Sequence, residues 1–201
     1  MSDCGCHIEP AEDPRQRRTL WIALALNAVM AGVGFVIGWW AQSTGVLADA
    51  LDMLSDATAY AIGLLAIGRS PLFKRRAAQL SGTVLLVLGV GVIVEAARRG
   101  ITGSEPLSLW MMAAAALSLV VNLAVLRMLR PFREGEVHLR ATWIFTRADV
   151  VANIGVLGAG GLVLMTGSRF PDLIVGAAIG AYVVKEAAEI LREAREQTSP
   201  A

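Results

Sequence analysis

From Thr19 to Ala48 the chain runs thirty residues without one ionisable side chain. A helix needs about 20 predominantly apolar residues to cross a bilayer. This run exceeds that length and carries only scattered polar groups, so it constrains the fold more than any other feature: the solvent around the chain is lipid. Composition agrees, with 55% hydrophobic and 17% charged residues in 201, too apolar for an ordinary soluble domain of this size.

Further apolar segments recur, giving expected spans at 19–42, 46–68, 77–97, 107–127, 141–166 and 172–191. Breakers separate them: GRSP at 68–71, GITGSEP at 100–106, RPFREGE at 130–136 and TGSRFPD at 166–172. The expected fold is an all-α integral membrane protein, a six-transmembrane-helix bundle. Its expected domains are a cytoplasmic tail over 1–18, the six-helix unit over 19–193 and a short cytoplasmic tail over 194–201.

The basic residues orient it. With the N-terminus inside, thirteen fall on the cytoplasmic side, from Arg15, Arg17 and Arg18 through Lys74, Arg75 and Arg76 to Arg192 and Arg195, while Arg98, Arg99 and Arg169 fall outside. The positive-inside rule then places both termini in the cytoplasm, and in a bacterial cell the inner membrane. The net charge of +1 adds nothing to this. No basic face interleaved with aromatics exists, which excludes a nucleic-acid partner.

The tail MSDCGCHIEPAEDPRQRR has no apolar core and is not a signal peptide. Cys4 and Cys6 should be reduced thiols in the cytoplasm. With His7 they offer soft-metal donors, although three donors in four residues do not close a tetrahedral site, and two idle thiols on a tail are the plainer reading.

The segment DALDMLSD, Asp49 to Asp56, sets three carboxylates in an apolar stretch with no Lys or Arg close by. At helical periodicity Asp52 and Asp56 stand about 40° apart and Asp49 about 20° from Asp56, so all three share one face. An Asp at the centre of a span costs about 2.5–3.5 kcal/mol on the insertion scale, so this face turns inward. Asp49, a turn from the outer end, has solvation as an equal alternative. Paired carboxylates in low dielectric repel each other until a proton or a cation occupies the site, and a divalent cation is the natural occupant.

The only other ionisable residue expected deep in a long apolar span is Asp149 on helix 5. Asn153 follows one turn later with an amide oxygen; Phe145, one turn earlier, has no donor. Arg147 points elsewhere and is expected to snorkel to the interface, with pairing to a neighbouring acid as the functional alternative. Asn27 and Asn122 are expected to hydrogen-bond between helices, and Glu95 to be solvated beside Arg98 or Arg99. Gly32, Gly34, Gly38, Gly155, Gly158, Gly160 and Gly161 suit close packing, which also lets helices rock. No nucleophile and base stand together, so an enzyme is not expected, nor is any resident cofactor.

GVLADALDMLSDATAYAIGLLA resembles the second transmembrane helix of the cation diffusion facilitator family, with its "ADA-x-[HD]-x-x-x-D" pattern. HLRATWIFTRADVVANIGVLGAG resembles that family's fifth helix and PDLIVGAAIGAYVV its sixth. The resemblance implies a divalent-metal exporter in which Asp52 and Asp56 are the helix-2 ligands and Asp149 the second helix-5 ligand. Phe145 stands where the family has a first helix-5 ligand, so Asn153, a water or Asp49 is recruited instead. The family usually continues into a cytoplasmic metal-binding domain that helps it dimerise; this chain reaches Ala201 soon after helix 6 and looks like a short form. A homodimer remains compatible with it.

The implied cycle is proton antiport, with lipid, metal and protons as the partners. Oxygen donors suit Mn²⁺ or Mg²⁺, and the resemblance points to Zn²⁺, Co²⁺ or Cd²⁺; a zinc-like metal is expected. Two alternatives are a proton-coupled carrier of a small organic cation, which should have a larger cavity with aromatic walls, and a non-transporting membrane metal sensor or partner.

Overall fold

A computed structural model describes residues 14–65, 70–132 and 137–196. Cys4, Cys6 and His7 lie outside the described residues, as does the side chain of Phe145. Six long helices account for nearly all of the described chain: α1 (Pro14–Trp40), α2 (Thr44–Leu65), α3 (Pro71–Thr102), α4 (Ser108–Leu129), α5 (Val137–Thr166) and α6 (Phe170–Glu196). The expected membrane bundle is the observed fold. Several helices outrun their apolar cores: α3 begins at Pro71 rather than 77 because Ser70 caps it, accepting from the Phe73 N–H, and Pro71 presets the first turn.

The predicted breakers act through specific chemistry. Gly103 ends α3 at φ +92° and Gly167 ends α5 at φ +67°, conformations that cost glycine little. Between α1 and α2 the turn passes through Gln42 at φ +52°. The Ser43 N–H reaches back to the Gly38 carbonyl at 3.0 Å, and the Gln42 amide oxygen accepts from Glu105 N–H at 3.2 Å. The turns after α1, α3 and α5 thus gather at one end of the bundle, the expected outer end.

Four helical stretches are long and apolar enough to cross a membrane: Arg17–Trp40, Arg75–Thr102, Ser108–Leu129 and Thr146–Thr166. The other two helices, α2 and α6, carry most of the acids, and the fold treats them accordingly. α2 touches every other helix, and from Thr44 to Ala57 it is almost wholly buried. Val29, Val36, Leu80, Val87, Val120 and Val151 of the other helices point outward instead, the apolar belt that lipid requires. The charged helix is inside and the apolar helices surround it.

Small residues allow this. Were Gly34 to carry a Cβ it would lie 2.8 Å from Ala50 Cβ, and one on Gly38 would lie 2.9 Å from Leu47 N, so α1 seats directly on α2. Gly160 does the same against Met112, whereas Gly32, Gly155, Gly158 and Gly161 meet nothing within 4 Å. The expectation of close packing therefore holds for three of the seven glycines.

Candidate metal site

Construction of the site begins at the end where α2 starts. The first N–H groups of a helix have no partner within it, and here the partner comes from α6. Asp172 is fully buried. Its carboxylate accepts from Thr44 N–H at 2.8 Å, Gly45 N–H at 2.9 Å, Ser43 Oγ at 2.6 Å and Thr44 Oγ1 at 3.1 Å. The negative charge also meets the positive end of the α2 dipole. Sequence reading placed Asp172 at a loop edge and missed this clasp, which fixes where α2 and α6 stand relative to each other.

Further along α2, Asp49 is 3% exposed and accepts from Ser118 Oγ of α4 at 2.7 Å. It is a buried tie to α4, not the solvated group that its place near the outer end allowed. One turn on, Asp52 is 6% exposed. The carboxyl of Asp149, 5% exposed on α5, lies beside those of Asp52 and Asp56. The structure thus brings Asp52, Asp56 and Asp149 together from two helices and directs Asp49 elsewhere.

Two observations concern what this cluster lacks. Asp149 Oδ2 is buried with no hydrogen-bond partner among the described residues, and both amide atoms of Asn153 are likewise buried and unpartnered. Buried polar atoms are normally satisfied, so these are places where a proton, water or cation gains most. Among the described residues, no group of three or more His, Cys, Asp or Glu side chains is placed to hold a metal ion.

A fourth acid stands nearby. Glu186 of α6 lies near Ser55 and Tyr182, and on the same side as Asp52 and Asp56. The expectation that Asp149 is the only other deep ionisable residue is thereby corrected. Its signal was Glu186 lying ten positions beyond Gly176 in an apolar span, obscured by the polar run that follows.

Other expectations resolve as follows. Asn27 donates to Ala23 O of its own helix at 2.9 Å rather than bridging helices, and Asn122 Oδ1 is unpartnered among the described residues. Glu95 pairs with both Arg98 and Arg99 at 2.7 Å. Arg147 is exposed, as expected of a snorkelling residue. At the turn-bearing end a cavity of about 520 Å³ is lined by Trp40, Gln42, Glu105 and Arg169, among others, and by none of the clustered acids.

Residues 20–72 and 73–197 match the model of the cation efflux transmembrane domain. The metal cation efflux system protein CzcD of Cupriavidus metallidurans is 27% identical over 83% of this chain and 57% of its own length. The zinc transporter ZitB of Yersinia pestis is 25% identical over 91% of this chain and 62% of its own. The mouse proton-coupled zinc antiporter SLC30A2 is 28% identical over 79% and 50%. The chain thus spans less than two thirds of the length of each of these relatives.

Proposed function

Because this chain belongs to the cation efflux family, we propose that it exports a divalent metal cation, that Asp52, Asp56 and Asp149 hold the ion, and that protons drive its release. The carrying observation is the buried meeting of the Asp149 carboxyl, one oxygen unpartnered, with those of Asp52 and Asp56. An acid cluster of this kind has no place in a bundle facing lipid unless something positive visits it. In the proposed cycle the deprotonated carboxylates take metal from the cytoplasm. After the helices rock, protons arriving from the opposite side compete for the same oxygens and displace the ion.

Zn²⁺ is the favoured cargo, in keeping with the zinc transport for which two of the relatives are named. Co²⁺, Cd²⁺ and Mn²⁺ are its competitors at an oxygen-rich site. Both termini are assigned to the cytoplasm and the bundle to the inner membrane on the distribution of basic residues.

The deciding experiment is Zn²⁺ uptake by proteoliposomes with and without an imposed pH gradient. Uptake above that of empty vesicles, increased by a gradient that supplies protons on the release side, is expected. Uptake no greater than in empty vesicles, for Zn²⁺ and its three competitors alike, would overturn export.

A further inference from the structure

Glu186 belongs to no role assigned so far, and its placement follows from packing. α2 and α6 both start at the turn-bearing end and run parallel. The Asp172 clasp joins them there, and one turn on a Cβ at Gly176 would lie 2.6 Å from the Thr44 carbonyl carbon, so the two backbones touch. That contact sets an offset of 132 (176 − 44), which carries position 186 to the level of position 54 (186 − 132). The nearness of Glu186 to Ser55 is in keeping with this offset. Ser55 sits between Asp52 and Asp56 in sequence.

Two hydroxyls lie near the side chain: Ser55 from α2, and Tyr182 one turn earlier on α6. A carboxylate has about four acceptor positions, so two such contacts leave donor capacity toward Asp52 and Asp56. On the neighbouring exposed face, Lys185 Nζ stands 3.7 Å from Glu189. The cluster that Glu186 approaches contains the buried, unpartnered Oδ2 of Asp149. A divalent ion held by three aspartates still needs a fourth donor for tetrahedral coordination, and the side chain at position 145 is a phenyl ring that offers none.

We propose that Glu186 supplies this fourth oxygen to the transported ion, so that α6 joins α2 and α5 in holding it. The proposal rests on the three-aspartate site described above. Its test is calorimetric titration of Zn²⁺ into the purified full chain in detergent, with parallel melting curves. Glu186→Gln keeps the shape and can still accept from both hydroxyls, but gives up the charge. It is expected to weaken Zn²⁺ binding by at least the roughly 10- to 100-fold that loss of a ligand's supporting partner costs, with the metal-free melting temperature unchanged. Glu186→Asp, which keeps the carboxylate, is expected to bind more tightly than Glu186→Gln.

Binding by Glu186→Gln within about twofold of the native chain, or no advantage of Glu186→Asp over it, would overturn the assignment. Loss of binding in Asp52→Ala beside native binding in Glu186→Gln overturns this inference alone. Native binding in Asp52→Ala, Asp56→Ala and Asp149→Ala overturns the three-aspartate site, and this inference with it.

Discussion

At the scale of single residues, a carboxylate in an apolar span is costly enough to be read directly. Asp52, Asp56 and Asp149 stand out because nothing basic surrounds them, and the Asp149 carboxyl lies beside the other two. Substitution of any one by Ala is expected to abolish Zn²⁺ transport in vesicles while leaving membrane insertion intact; normal transport by all three variants would refute the site. Glu186 was not legible, because the run that follows it, AAEILREARE, reads as a helix leaving the membrane, where acids mean water. Only the offset between α6 and α2 shows that it faces inward. Asp49 was open between solvation and burial: periodicity gave its face, and Ser118 of α4 decided its partner. Phe145→His adds an imidazole at the helix-5 position. Its gain in Zn²⁺ affinity should be larger in the Glu186→Gln chain than in the native one, and a double-mutant cycle measures the difference.

At the scale of helices, the apolar runs were enough to count six elements and place their centres, since membrane spans have a length set by the bilayer. Their ends were less legible. α6 starts at Phe170 and continues to Glu196, beyond the expected 172–191, because polar residues at helix ends cost nothing once outside the lipid. The clasp between helices could not be read at all, for Asp172 sits in a breaker whose local meaning is a turn. Asp172→Ala strips the acceptor from two buried N–H groups and two hydroxyls. Orphaned buried donors cost about 1–3 kcal/mol each, so a marked fall in melting temperature in detergent is expected. A variant that melts with the native chain would show the clasp to be energetically idle.

At the scale of the whole molecule, the burial pattern is that of a charged axis wrapped in apolar helices. Every group proposed to handle the ion lies on α2, α5 or α6, none on the tail, so deletion of residues 1–14 is expected to change apparent Zn²⁺ affinity only modestly. Complete loss of transport with normal insertion would show that the Cys4, Cys6 and His7 segment is essential. A protonophore that collapses the pH gradient is expected to slow uptake, and unchanged uptake would remove protons from the cycle.

The Asp172 clasp and the Gly176 contact join α6 to α2, whereas α5 meets α2 far more sparsely. The acids are therefore mounted on two jaws: Asp52, Asp56 and Glu186 ride on one, Asp149 on the other. Such an arrangement is a gauge of width. In the proposed site a small ion would let the jaws close fully and a larger one would prop them apart, so cargo choice would become a matter of how far two helices can approach as well as of which atoms line the gap. Residues that never touch metal, such as those packed along the α2–α5 seam, then set selectivity by setting the closed distance.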